Sequence, residues 1–263
     1  MESVKILQSD PSAAAEAFLR PLRQPPAARH VLPITPGRDA AFLDGSVSAT
    51  HYGVGRVVIL VHGWEGNRSD LLAFVDPLVE RGYSALAIDL PAHGASQGDM
   101  TSIPELGLAL AAIGTEIGTL AGAIAHSVGT AATALAISRG LQTRRLVLIA
   151  PPANYGAYVR AFMAANVEAS AHAESIAEVR RRIGIDADDV DTPTFLANSS
   201  VPGLILHSTD DRVVNIADAR AIADAWPAAR LVEFAGLGHR RILSDSGAIA
   251  QAADFIASQE NDE

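Results

Sequence analysis
Residues 121–138 read Ala-Gly-Ala-Ile-Ala-His-Ser-Val-Gly-Thr-Ala-Ala-Thr-Ala-Leu-Ala-Ile-Ser, the most apolar long stretch of the chain. Alanine anchors weakly in a bilayer, and His126, Ser127, Gly129, Thr130 and Thr133 interrupt the run, so it does not read as a membrane span. It divides instead into a strand, Ala121–Ala125, and a helix, Val128–Arg139, ended by Gly140. His126 and Ser127 fall at the junction.

The same unit repeats outward. Upstream, Val57-Val-Ile-Leu-Val61 is a continuous apolar run of strand length, as in strands buried on both faces of a parallel sheet. A helix over Ser69–Arg81, kinked at Pro77, follows it, then a strand at Ala85–Ile88 and a helix at Glu105–Ile117. Downstream come strands at Leu146–Ile149, Gly203–Leu206 and Leu231–Phe234, and helices at Ile216–Trp226 and Gly247–Ser258. Phe42–His51 reads as a hairpin turning at Asp44-Gly45. Alternating strands and helices predict an α/β fold, a mostly parallel sheet with helices on both faces. Ligands of such sheets bind beyond the carboxyl ends of the strands.

Composition narrows the function. The chain has 263 residues, enough for one or two domains, and 49% hydrophobic residues, enough for a packed core. Its net charge of −10 argues against a nucleic-acid partner. The absence of cysteine excludes disulfides, thiol catalysis and cysteine-ligated zinc. The start, Met1-Glu-Ser-Val-Lys5, has no charged segment leading into an apolar one, so a cytoplasmic protein without a membrane partner is expected. Six prolines in the first 36 residues mark residues 1–38 as an extension packing on the core, with Asp10-Pro11 opening a short helix through Leu19.

Four strand-end loops carry unusual chemistry: His62-Gly63-Trp64-Glu65-Gly66, Asp89-Leu-Pro-Ala-His93-Gly94, His126-Ser127-Val128-Gly129, and a late pair, Ser208-Thr-Asp210-Asp211 with Gly236-Leu-Gly238-His239. Together they resemble the α/β-hydrolase family over roughly residues 40–258, where a serine sits on a sharp strand-to-helix turn flanked by small residues. Ala125 stands in place of the first glycine of that pattern and Gly129 keeps the second.

The resemblance implies an eight-stranded-type sheet, a core of residues 39–150 and 201–263, and a small helical cap from residues 151–200. It also implies the order nucleophile, acid, histidine, which Ser127, Asp211 and His239 follow. Asp210 competes with Asp211, although small-x-x-Asp-x-x-Val aligns Ser208, Asp211 and Val214. The backbone N–H groups of Trp64 and Val128 would form the oxyanion hole. His126, Trp64, Tyr155, Tyr158, Phe162 and Met163 would line the substrate pocket. His62 and His93 are expected to order their loops, and His207 to end a strand and pack.

A serine hydroxyl needs a neighbouring base to attack at neutral pH, and a base needs an acid to hold its tautomer, so three such side chains point to nucleophilic acyl transfer. No ligand spacing such as His-Glu-x-x-His occurs, so neither metal nor cofactor is expected. The expected function is a serine hydrolase acting on a small to medium carboxylic ester. Thioester, amide and carbon–carbon cleavage, or a non-catalytic receptor retaining the triad, are the alternatives. The single glycine before Trp64 differs from the glycine-rich loop of lipases and makes a large lipid substrate less favoured.

Overall fold
The structure, a computed structural model, describes residues 9–25 and 32–258. Residues 1–8 and 26–31 of the expected extension, with Pro26, lie outside the described residues. Helix α1, Pro11–Leu19, starts where Asp10 accepts the N–H of Ser12 at 2.8 Å. Strands β1 (Gly37–Phe42) and β2 (Val47–Tyr52) form the hairpin, with Leu43, Asp44 and Gly45 at positive φ in its turn. Strand β3 is Arg56–Val61.

The helix expected over Ser69–Arg81 is two pieces, a 3-10 helix over Arg68–Phe74 and α2 over Val75–Glu80. Pro77 accounts for the break. It has no N–H to donate to Ala73, and restarting at Val75 places it in a first helical turn, where that N–H has no partner in any case. The remaining elements are β4 (Tyr83–Ile88), α3 (Ile103–Ile117), β5 (Gly122–His126), α4 (Val128–Ser138), β6 (Leu146–Ile149), α5 (Tyr155–Asn166), α6 (His172–Ile183), α7 (Thr192–Leu196), β7 (Gly203–Ser208), α8 (Ile216–Ala225), β8 (Ala229–Phe234), α9 (Gly238–Arg241) and α10 (Ser246–Ala257). The sequence pattern holds no sign of α9, which is too short to show an apolar period.

The eight strands form one sheet in the order β1-β2-β4-β3-β5-β6-β7-β8, antiparallel at β1, β2 and β4 and parallel from β4 through β8. Alternation in β3 divides the core. Ile59 and Val61 face the cluster under α3, α4 and α8, whereas Val58 and Leu60 face the cluster under α2 and α10. Each such side chain contributes about 1.5–3 kcal/mol on full burial, and both faces therefore hold the sheet.

Between β6 and β7 the chain forms α5, α6 and α7. Tyr155, Val159, Met163 and Val179 from this stretch belong to the same buried cluster as Ile59 and Val61. Helix α1 packs against α6, and Phe18 sets its ring 5.7 Å from Tyr155 and 5.1 Å from Phe162. Among the described residues no helix is long and apolar enough to cross a membrane.

Candidate active site
The parallel strands converge on one edge, where the loops after β3, β5, β7 and β8 meet. Ser127 occupies the turn between β5 and α4 with φ 51° and ψ −128°, a conformation that costs an L-residue energy and that the flanking elements impose. The turn admits no side chain at two points. A Cβ on Gly129 would come within 2.3 Å of the His62 carbonyl oxygen, and one on Gly63 within 2.9 Å of Ser127 Cβ. Ala125 fits because it lies inside β5, fully buried among apolar neighbours.

Ser127, His239 and Asp211 come together. Ser127 Oγ lies 3.1 Å from His239 Nε2, and His239 Nδ1 lies 2.7 Å from Asp211 Oδ2. The ring therefore donates Nδ1–H to the carboxylate and leaves Nε2 free to accept from the hydroxyl. Burial alone would push the Asp211 carboxyl up. Contacts from His207 and His239 and the N–H groups of Val214 and Val213 outweigh burial and hold it well below the usual carboxylate range.

Asp210 does other work. Its exposed carboxylate accepts from the Gly236 and Gly238 N–H groups at 3.0 and 3.1 Å, which shapes the loop that delivers His239.

Three further histidines frame the site. His62 donates Nδ1–H to the Gly63 carbonyl at 2.7 Å and accepts the Leu90 N–H on Nε2 at 3.0 Å, tying the β3 and β4 loops together. Burial, with the charge of His93 second, lowers its pKa to about 3. His93 donates to the Pro91 carbonyl and meets Trp64 edge-on at 5.3 Å. His126 Nε2–H donates to the His239 carbonyl at 3.0 Å, and burial, followed by His239, lowers its pKa to about 3.

A cavity of about 120 Å³ opens at Ser127, floored by Gly63, Trp64, His126 and His239. One wall is Ser69, Asp70 and Ala73 from the 3-10 helix, and the other is Arg240, Leu243 and Ser244 from α9 and the turn after it. Trp64 and His126, expected at the pocket, both line this cavity. Tyr155, Tyr158, Phe162 and Met163 do not line this cavity. Tyr155 and Met163 are buried in the core, and Tyr158 and Phe162 pack against it, because α5 packs on α6 and on α1 with its Phe18. The walls of this cavity follow directly on the His62–Asn67 and His239 loops, and that adjacency was their only signal in the sequence.

The backbone N–H groups of Trp64 and Val128 have no hydrogen-bond acceptor among the described residues. Val128 begins α4, so the partial positive charge of that helix terminus adds to its N–H. Among the described residues no three His, Cys, Asp or Glu side chains gather where they could hold a metal ion.

The alpha/beta hydrolase family profile matches residues 58–200, more than half of the chain. The chain belongs to the α/β hydrolase family. Three solved structures have a similar fold. An esterase from Exiguobacterium antarcticum superposes with a TM-score of 0.65 at 17% identity, covering 85% of this chain and 100% of its own. A monoacylglycerol lipase from Paleococcus ferrophilus gives 0.64 at 17%, covering 80% and 98%. A bromoperoxidase from Bacillus anthracis gives 0.63 at 16%, covering 84% and 99%. At such identities the likeness establishes the fold of this α/β hydrolase and nothing finer. No curated protein sequence matches the chain.

Proposed function
We propose that this α/β hydrolase is a serine esterase acting on a small to medium carboxylic ester through an acyl-enzyme intermediate. The observation that carries the reading is the continuous relay from Ser127 Oγ through both nitrogens of His239 to Asp211. His239 Nε2 takes the serine proton as Oγ bonds to the ester carbonyl carbon. The carbonyl oxygen becomes the oxyanion, held by the N–H groups of Trp64 and Val128, each worth about 2.7–4 kcal/mol in comparable sites. As the carbon–oxygen bond to the alcohol breaks, His239 returns the proton to the leaving oxygen. Water, deprotonated by the same nitrogen, then attacks the acyl-enzyme and releases the acid and Ser127.

A cavity of about 120 Å³ walled by Trp64, Ala73 and Leu243 supports a compact acyl group. The esterase and lipase functions named for the neighbours are consistent with ester chemistry.

A short-chain p-nitrophenyl ester should give a burst of chromophore followed by steady turnover. A fluorophosphonate should add once to the intact mass, at Ser127. Ser127→Ala should remove the label and lower kcat on the order of 10⁶-fold. Labelling or turnover that survives this substitution defeats the reading, and a wild type that binds esters without cleaving them favours a receptor.

A further inference from the structure
We propose that His207 is a positioning residue for the acid of the triad, sharing its Nε2–H between the Val214 carbonyl and the Asp211 carboxylate. The proposal rests on the triad reading above. His207 lies on β7 and is fully buried. Its Nε2 is 3.0 Å from the Val214 oxygen and 3.5 Å from Asp211 Oδ2. Both neighbours are acceptors, so the proton resides on Nε2. Nδ1 is buried with no partner among the described residues.

That orphan nitrogen is informative. An apolar residue would fill position 207 without leaving a buried acceptor unpaired, so packing alone does not account for a histidine there. What the ring supplies is the other nitrogen. Oδ2 of Asp211 has His207 Nε2 at 3.5 Å on one side and accepts from His239 at 2.7 Å on the other. Oδ1 receives the Val213 and Val214 N–H groups at 2.8 and 3.0 Å. Val214 thus gives its N–H to Asp211 and takes the His207 proton on its carbonyl, closing residues 207–214 into a ring around the carboxylate. A carboxylate bonded from three directions, with a fourth N–H close beside it, keeps its charge and its aim without solvent.

Other charged and titratable groups lie nearby, among them Arg212 and Arg241, which line a second pocket with Asp210 and His239. His126 and Arg240 line the cavity beside His239. Tyr158 on α5 is close enough to feel the charges of Asp211 and of Asp218 on α8, and Glu233 on β8 pairs in register with His207. The carboxylate of Asp210 is turned to the Gly236 and Gly238 N–H groups.

Removing the His207 donor concentrates negative charge on Oδ2. That strengthens the pairing with the imidazolium form of His239, so the acidic limb of the kcat/KM profile moves to higher pH, while the loosened carboxylate lowers kcat. His207→Phe should lower kcat on a short-chain p-nitrophenyl ester on the order of tenfold to a hundredfold and raise that limb by about half a pH unit. His207→Gln, whose amide can present an N–H from the same place, should restore most of kcat and return the limb. A structural role alone would move the melting temperature and leave the limb in place.

If His207→Phe stays within about twofold of wild type with its limb unmoved, the proposal is overturned. The triad reading survives that result as long as Ser127→Ala is inert. If the phenylalanine variant does not fold, nitrogen-15 NMR of the wild type decides. His207 should show a protonated Nε2 and a bare Nδ1, and the opposite tautomer overturns the proposal whatever the activity.

Discussion

Ser127 and Met163 are both almost inaccessible to solvent, at 6% and 0% exposure, but different forces bury them. Around Ser127 the neighbours are polar: its Oγ lies 3.1 Å from His239, which is bonded in turn to Asp211, and the backbone N–H groups of Trp64 and Val128 have no acceptor among the described residues. Around Met163 they are apolar side chains of the core cluster, with no hydrogen bond to the side chain. The first arrangement stores function, because each bond fixes a proton or an orientation. The second stores stability, because its free energy comes from area removed from water. A substitution in one region should therefore move a quantity that a substitution in the other leaves alone.

The largest expected effect after that of Ser127→Ala tests the polar side. Asp211→Asn should lower kcat on the order of 10⁴-fold, because an amide can hold His239 in the wrong tautomer. The melting temperature should change far less than that loss implies. Asp210→Asn, one residue away, should cost kcat no more than about tenfold, because Asp210 meets backbone N–H groups rather than the imidazole. Steady-state kinetics of the two variants decides. Equal losses, or the reverse order, would mean that the geometry around His239 has been misread.

How much of this was legible in the sequence follows the same division. The strands could be read because their signals are local apolar runs, whereas the turn at Ser127 and the order of the three side chains were expectations from the family resemblance, carried by Gly129 and by the small-x-x-Asp-x-x-Val match at Ser208, Asp211 and Val214. The aromatic residues of α5 were expected at the pocket, and the packing the structure gives them was not legible because their partner is distant. Phe18 meets Phe162 across 144 residues of chain, and nothing near Phe162 announces it. The cavity walls were missed because Arg68–Phe74 and Gly238–Arg241 are short and carry polar residues without a period. His207 was read as packing, which is half of what it does. Its bond to Val214 spans seven residues, a spacing that belongs to no regular element.

The apolar side is tested by Met163→Ala. Truncating a fully buried methionine should cost about 2–5 kcal/mol, read as a shift of the urea midpoint with an unchanged slope. The kcat/KM for a short ester should stay within about twofold of wild type, since Met163 does not touch the cavity at Ser127. A large rise in KM without loss of stability would return Met163 to the substrate pocket and dissolve the contrast between the two regions.

The smallest effect asks whether the polar side also carries a stability cost. His62 and His126 have pKa values near 3 in the folded chain, against about 6.5 when unfolded. Between those values the unfolded chain binds the extra protons. Stability is therefore full above about pH 6.5 and falls as pH drops toward 3, by about 1.4 kcal/mol per pH unit for each histidine. His93, also lowered by burial, acts in the same direction. Asp211 is held low as well, but its contribution is lost only below the ordinary carboxylate range, so it is silent between pH 4.5 and 6. Urea denaturation across that window should show the fall, and His62→Gln should flatten it by about 1.4 kcal/mol per pH unit whatever it does to the absolute stability. An unchanged slope would mean that His62 takes up its proton without unfolding the loops it joins. The bonds to Gly63 and from Leu90 would then be a consequence of the fold around the site rather than one of its supports.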